Sequence, residues 1–137
     1  MTALSDCTII DSDGGLLSPI SASIQNFDII KLLQLPLLVT VSPNENTINS
    51  TLHTINTAIE KGIEIRGVII NNITNNCPKT LLTSITRIIE EYSSTKILGL
   101  MPHLEGKISP EDLITAILNG IDIESVFNVK IEKLDFS

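Results

Sequence analysis

Aromatic residues are nearly missing from this chain. They make up 3% of its 137 residues, and there is no tryptophan at all. A core must therefore be aliphatic, drawn mainly from Ile and Leu within a hydrophobic fraction of 42%. Only two cysteines occur, Cys7 and Cys77. Far apart as they are, they make neither a disulfide framework nor a zinc site, and they fit a reducing compartment. Positive charge is also scarce: 9 Lys and Arg face 16 Asp and Glu, a net charge of −7. Sequence-independent binding of nucleic acid needs a basic surface to displace counterions, so no nucleic-acid partner is expected. The longest apolar run, around Leu35–Val41, is far too short to cross a membrane. No basic n-region precedes an apolar core at the amino terminus, so no secretory signal is expected. A soluble, cytoplasmic protein is the resulting expectation, folded as a single domain over residues 1–137.

One motif is missing in an informative way. Gly106-Lys107-Ile108-Ser109 resembles the end of a phosphate-binding P-loop. That motif requires Gly, four residues, then Gly-Lys followed at once by Ser or Thr. Here Ile108 intervenes and Gly99 stands at the wrong distance. No P-loop occurs in these 137 residues.

What is present alternates. Cys7–Ile10, Pro36–Val41, Ile65–Asn71 and Lys96–Leu100 are short, apolar and largely β-branched, the pattern of strands buried on both faces. Between them lie amphipathic segments. Ile48, Leu52, Ile55 and Ile59 form one helical stripe, which Gly62 can end. Leu81, Leu82, Ile85, Ile88, Ile89 and Tyr92 form another, with Pro78 near its first turn. A shorter helix is expected over Ile24–Leu33. A fourth starts at Ser109-Pro110-Glu111-Asp112, where Ser109 suits the N-cap and Pro110 the first helical position. Ile121–Ser137 could hold one more turn or strand. Strand and helix in alternation predict an α/β fold, a parallel sheet of βαβ units.

In such sheets ligands bind where loops leave the carboxyl ends of the strands. Four loops qualify: Asp11–Ile20, Ser42–Asn49, Asn71–Pro78 and Met101–Ser109. In the first, Asp11 and Asp13 could serve a hard divalent cation, and Gly14 and Gly15 would let a ligand approach the backbone. The same residues could equally form a plain Asp-Gly turn. In the second, Asn44, Asn46 or Thr47 could cap a helix whose first N–H groups can also hold an anion. In the third, an Asn at a strand end can read the donor–acceptor edge of a base, or merely sit in an Asn-rich loop. His53 reads as a helix-face residue and His103 as a loop residue; they are not a metal pair.

Taken in series, these blocks resemble dethiobiotin synthetase. Asp11-Ser12-Asp13-Gly14-Gly15-Leu16-Leu17-Ser18-Pro19-Ile20 fits the frame of that family's Glu-Gly-x-Gly-Gly-x-x-x-Pro loop. LPLLVTV (35–41) is similar to its Leu-Pro-rich strand, and Asn46-Thr47-Ile48-Asn49-Ser50-Thr51 to its following helix start. GIEIRGVIINNIT (62–74) resembles its strand ending in Asn, and ILGLMPHLEG (97–106) its Leu-Gly-x-x-Pro segment. The resemblance runs from Cys7 to about Leu118. It implies a P-loop NTPase-like, partial Rossmann-like three-layer fold. It also implies a ligase of biotin biosynthesis, using ATP and Mg2+ to convert 7,8-diaminopelargonate and carbon dioxide to dethiobiotin.

Carried across, Asp11 falls on the metal ligand, and Gly14 and Gly15 on the loop lining the substrate. Asn46, Thr47, Ile48 and Asn49 fall on the site of the substrate's tail carboxylate, at a homodimer interface. Asn71, Pro102, His103 and Leu104 fall on the nucleotide-base site. The departures are Asp11 for Glu, Ser12 and Asn46 for glycines, Ser50 for His, and His103 where an aromatic is common. The family's P-loop and its catalytic lysines have no counterpart here, so no catalytic residue is assigned. The expectation is a chain inactive alone, needing a homodimer or a separate P-loop-bearing chain. The alternatives are a non-catalytic nucleotide-binding or dimerisation module, and another P-loop amidoligase relative.

Overall fold

The computed structural model of the protein describes residues 7–130. Three strands, β1 (Leu37–Val41), β2 (Ile65–Ile73) and β3 (Ile97–Pro102), form one parallel sheet in the order β1-β2-β3. Helix α1 (Asn26–Leu33) precedes β1. Helices α2 (Thr47–Glu60) and α3 (Lys79–Ser93) make the two crossovers. Helices α4 (Pro110–Gly120) and α5 (Ile123–Phe127) follow β3. The expected α/β fold with parallel βαβ units is present.

Side-chain alternation explains the layering. Val39, Val68 and Ile70 point to the face where α2 brings Ile55 and α3 brings Ile85 and Ile89. Ile55, Ile70, Ile85 and Ile89 are fully buried, each contributing roughly 1.5–3 kcal/mol. Gly99 pairs with Ile69 and so lies on the opposite face, where an antiparallel bridge joins it to Ile121 at the end of α4. Gly120 permits this approach, because a Cβ there would lie 2.6 Å from the Leu100 carbonyl oxygen.

Helix ends follow local chemistry. The Ser109 hydroxyl accepts from the Asp112 N–H at 3.1 Å while the Asp112 carboxylate accepts from the Ser109 N–H, a reciprocal capping box with Pro110 at the first position. Helix α3 starts directly after Pro78, which stands at its N-cap. The ambiguous Ile121–Ser137 segment holds both a bridge and the short helix α5; residues 131–137 lie outside the described residues.

One expectation is corrected. Cys7–Ile10 is not a strand: it is exposed, with Ile9 at 77% and Ile10 at 57% of full exposure. A strand forms only against a ladder partner, and β1 stands at the sheet edge with no described strand on its outer side. Apolar, β-branched composition could not supply that partner.

Candidate functional site

Because all three strands are parallel, the loops after β1, β2 and β3 leave from one edge of the sheet. That edge gathers the α2 start, the Asn71–Asn72 strand end and the Pro102–Leu104 segment.

After β1, the loop satisfies itself before the helix begins. The Thr47 hydroxyl donates to the Ser42 carbonyl at 2.6 Å and accepts from the Asn44 N–H at 2.8 Å. The Asn44 side-chain oxygen accepts from the Asn46 N–H at 2.8 Å. Asn46 is the N-cap by position, yet its side chain makes no capping bond. The expected cap is thus absent, and the positive end of the α2 dipole has no side-chain oxygen on its first N–H groups. Thr47 is buried, Ile48 half-buried, and Asn46 and Asn49 exposed.

After β2 and β3, two chain segments are tied together. The register runs from Ile70–Leu100 to Ile73–Pro102, leaving one extra residue on β2. That is a bulge, and Asn72 within it has a left-handed backbone with φ of 60°. The His103 N–H donates to the Ile73 carbonyl at 2.9 Å, and His103 Nδ1 lies 2.5 Å from Asn72 Oδ1. Asn71, Asn72, Pro102 and His103 are exposed and Leu104 is half-buried. Beyond His103, a shallow depression of about 370 Å³ runs between the β3–α4 loop and α4, lined by Leu104, Lys107, Ile108 and Asp112 among others. Within α4, the Ser109 hydroxyl and N–H both donate to the Asp112 carboxylate and hold its pKa below the ordinary value.

The Asp11–Ile20 loop is seated elsewhere. Leu16 is buried in a small cluster with Ala58 and Ile63, flanked by Phe27, Ile30, Leu37 and Ile65. Those residues mark the end of α2 and the beginnings of β1 and β2, which is the amino edge of the sheet. Ala58 stands eleven positions after Thr47 in α2, about 16 Å along the axis.

The turn itself is tightly bonded. The buried Asn26 amide donates to the Asp13 and Gly15 carbonyls at 3.0 and 2.9 Å, and the Gly15 N–H donates to the Ser18 hydroxyl at 2.9 Å. Gly14 has φ of 83°, and a Cβ there would lie 2.5 Å from Ser18 Oγ, so glycine is required by the turn itself. Asp11 and Asp13 are exposed. Among the described residues, no group of three or more His, Cys, Asp or Glu comes together as a metal centre.

The sequence reading thus finds three of its four loops on one edge and the fourth at the other. It missed two residues. Asn72 was overshadowed by Asn71, although the Asn-Asn pair at a strand end is the visible signal for a bulge. Asn26 reads as an ordinary helix residue, and nothing local marks it as the clamp of a turn that begins at Asp13.

Relatives place these segments in a family. The AAA domain family model matches residues 1–111. The ATP-dependent dethiobiotin synthetase BioD of Bacillus velezensis is 32% identical over 124 residues, covering 90% of this chain and 52% of that protein. The protein of the same name from Bacillus licheniformis is 31% identical over 123 residues, again 90% and 52%. That of Bacillus cereus strain G9842 is 33% identical over 117 residues, covering 85% and 48%. The chain spans about half the length of the curated relatives it matches. Among the described residues no helix is long and apolar enough to cross a membrane. With a family model matched over most of its length on a parallel α/β sheet, the chain belongs to the AAA domain family, a P-loop NTPase-like family, and is similar to dethiobiotin synthetases.

Proposed function

We propose that this chain supplies the nucleotide-base and substrate-tail parts of a dethiobiotin synthetase-like site, in a cytoplasmic enzyme of biotin biosynthesis. The observation that carries the reading is the shared carboxyl edge of Asn71, Pro102–Leu104 and the Asn46–Asn49 helix start. These segments fall within the stretch matched by relatives named ATP-dependent dethiobiotin synthetase. Asn71 reads the base, since its amide offers donors and an acceptor, while Pro102, His103 and Leu104 pack beside it. The free N–H groups of Ile48 and Asn49 hold the tail carboxylate of 7,8-diaminopelargonate.

In the proposed reaction one substrate amine takes up carbon dioxide as a carbamate, and ATP phosphorylates that carbamate. The second amine then attacks its carbon, expels phosphate and closes the cyclic urea. Phosphoryl transfer depends on positioning and on cations that neutralise developing charge. These 137 residues carry no P-loop lysine, so the proposed turnover needs a P-loop-bearing segment beside them.

Magnesium would neutralise the phosphates, and Asp11 is its proposed ligand, with Gly14 and Gly15 lining the substrate. The fit is incomplete as the chain stands. Asp11 is four residues before the anchored Gly15, a reach of at most about 14 Å, and the turn is bonded to Asn26 at the far edge. Asp11 meets a nucleotide only if this loop reseats toward the carboxyl edge.

The test is an assay with diaminopelargonate, bicarbonate, magnesium and ATP, with and without a P-loop-bearing partner. No turnover is expected from the chain alone. Turnover on the order of one per second by the chain alone would refute the need for a P-loop. The seating of the Asp11–Ile20 loop at the amino edge favours one second reading, a nucleotide-binding or dimerisation module without catalysis. Nucleotide binding without turnover under every partner condition would support it.

A further inference from the structure

The Asp11–Ile20 turn carries carboxylates of the kind a hard cation takes, yet its anchors all lie at the amino edge. Leu16 is 8% exposed, docked against Ala58 and Ile63. The Gly15, Leu16, Leu17 and Ser18 carbonyls, four in a row, each accept a bond from Gln25, Asn26 or Phe27. The Asp13 carbonyl accepts from the Asn26 amide as well. Asp11 and the Asp13 carboxylate stand just ahead of this fastened stretch and are exposed.

The seat is well bonded but small. Its apolar part is centred on Leu16, Ala58 and Ile63, apart from the cluster of Ile55, Ile70, Ile85 and Ile89 that holds the sheet. Carbonyls released from an exposed or part-buried turn exchange their internal donors for water, so each bond costs little net to give up. What opposes release is chiefly the burial of one leucine. Local opening of such a segment costs less than unfolding the sheet. Gly14, with φ of 83°, lies between Asp11 and the docked Leu16 and gives the backbone a place to swing.

We infer that this seat is a latch: while Leu16 is docked, Asp11 is withheld from the carboxyl edge, and a divalent cation held there through Asp11 requires release of the turn. The docked leucine and the cation then compete for one segment. Whatever loosens the seat raises metal affinity, because apparent affinity scales with the fraction of chains in the competent state. The latch rests on the proposed nucleotide site and adds a control to it, placed in Leu16 and the start of α1 rather than in any ligand.

The experiment follows amide signals of the full chain by NMR, with ATP alone and then with Mn2+ added. Mn2+ is a paramagnetic stand-in for Mg2+ that shares its preference for oxygen ligands. ATP alone is expected to shift the Asn71 amide in the native chain and in each variant below. In the native chain Mn2+ is expected to broaden signals at the carboxyl edge and to leave Gly14 and Gly15 sharp. Leu16→Ala weakens the docking, and is expected to bring Gly14 and Gly15 into the broadened set and to raise the apparent Mn2+ affinity roughly tenfold. Ser18→Ala removes the acceptor of the Gly15 N–H and leaves the apolar cluster intact. It is expected to act in the same direction by a smaller factor, and it carries the test if Leu16→Ala does not fold. Asp11→Asn added to either variant is expected to abolish the gain. Broadening of Gly14 and Gly15 in the native chain, with Leu16 still in contact with Ala58, overturns the latch, because cation and seat would then coexist. Unchanged Mn2+ affinity in both variants, with Asn71 still shifted by ATP, also overturns it and leaves the ATP site standing. If ATP does not shift Asn71, the ATP site fails and the latch fails with it.

Discussion

Two asparagines at opposite edges of the sheet use the same amide in opposite ways. At the amino edge, buried Asn26 gives both of its donor bonds to the carbonyls of Asp13 and Gly15. At the carboxyl edge, exposed Asn72 gives only its oxygen to His103. The first is closed on itself and fastens a turn; the second holds a partner in place and keeps its donors available. A group with all its bonds made inside the protein has little left for a ligand. The contrast separates a glycine-rich turn that is structural as it stands from an asparagine-rich edge that is open to chemistry.

The largest test asks whether the two edges belong to one cooperative unit. Ile70 is fully buried between β2 and the α2–α3 layer, close to the carboxyl edge. Ile70→Ala is expected to cost about 2–5 kcal/mol in urea unfolding, through lost burial and a residual cavity. One transition is expected, with the Leu16 cluster at the amino edge lost in the same step. A biphasic melt in which that cluster outlasts the sheet would break the edges apart into separate units.

The next test sharpens the contrast directly. Asn26→Ala strands two carbonyls in a part-buried turn and is expected to cost about 1–3 kcal/mol. Its ATP titration should match the native chain. Asn71→Ala, at an exposed strand end, is expected to stay within about 0.5 kcal/mol of native stability while ATP binding is lost. The comparison fails if the two effects are exchanged, with Asn26→Ala abolishing ATP binding and Asn71→Ala unfolding the chain.

How much of this was readable beforehand depends on how far each element reaches along the chain. Ser109-Pro110-Glu111-Asp112 states its own helix start, because every group in the capping box lies within four residues. The spans of α2 and α3 are likewise local and the structure returns them within a residue or two, but Ile59 and Tyr92 of the expected stripes are exposed, and α2 buries Thr47, Thr51, Ile55 and Ala58 instead. Cys7–Ile10 has the composition of a strand but needs a neighbour, which no property of those four residues can provide. Leu16 is placed by Ala58 and Ile63, far along the sequence, so a loop read as a fourth site wall lies at the other edge. Asn72 and His103 are 31 residues apart and meet only because β2 and β3 pair in parallel with a bulge. Local rules reach the helices; the site is made of pairings.

The smallest test uses pH to separate the edges again. At the carboxyl side, the start of α4 depends on an exposed, titratable group. The Ser109 hydroxyl donates to Asp112 at 2.6 Å and, with the Ser109 N–H, depresses its pKa below the ordinary 3.8. Asp122 at the start of α5 is depressed in the same way by the Ser125 hydroxyl and N–H, with a weaker contribution from Lys96. A carboxylate whose folded pKa is depressed contributes stability above its unfolded value, and that stability disappears as pH falls through the folded value. The window therefore lies below about pH 3.8 for both caps. Asn26 at the amino edge carries no proton to gain. In an acid titration followed by NMR, the Leu113 and Ser125 amide signals should shift before the Asn26 side-chain amide does. Asp112→Asn should remove the early change at Leu113 and leave that at Ser125. Simultaneous loss of all three signals would mean that the caps add nothing local, and that acid acts only by unfolding the whole sheet.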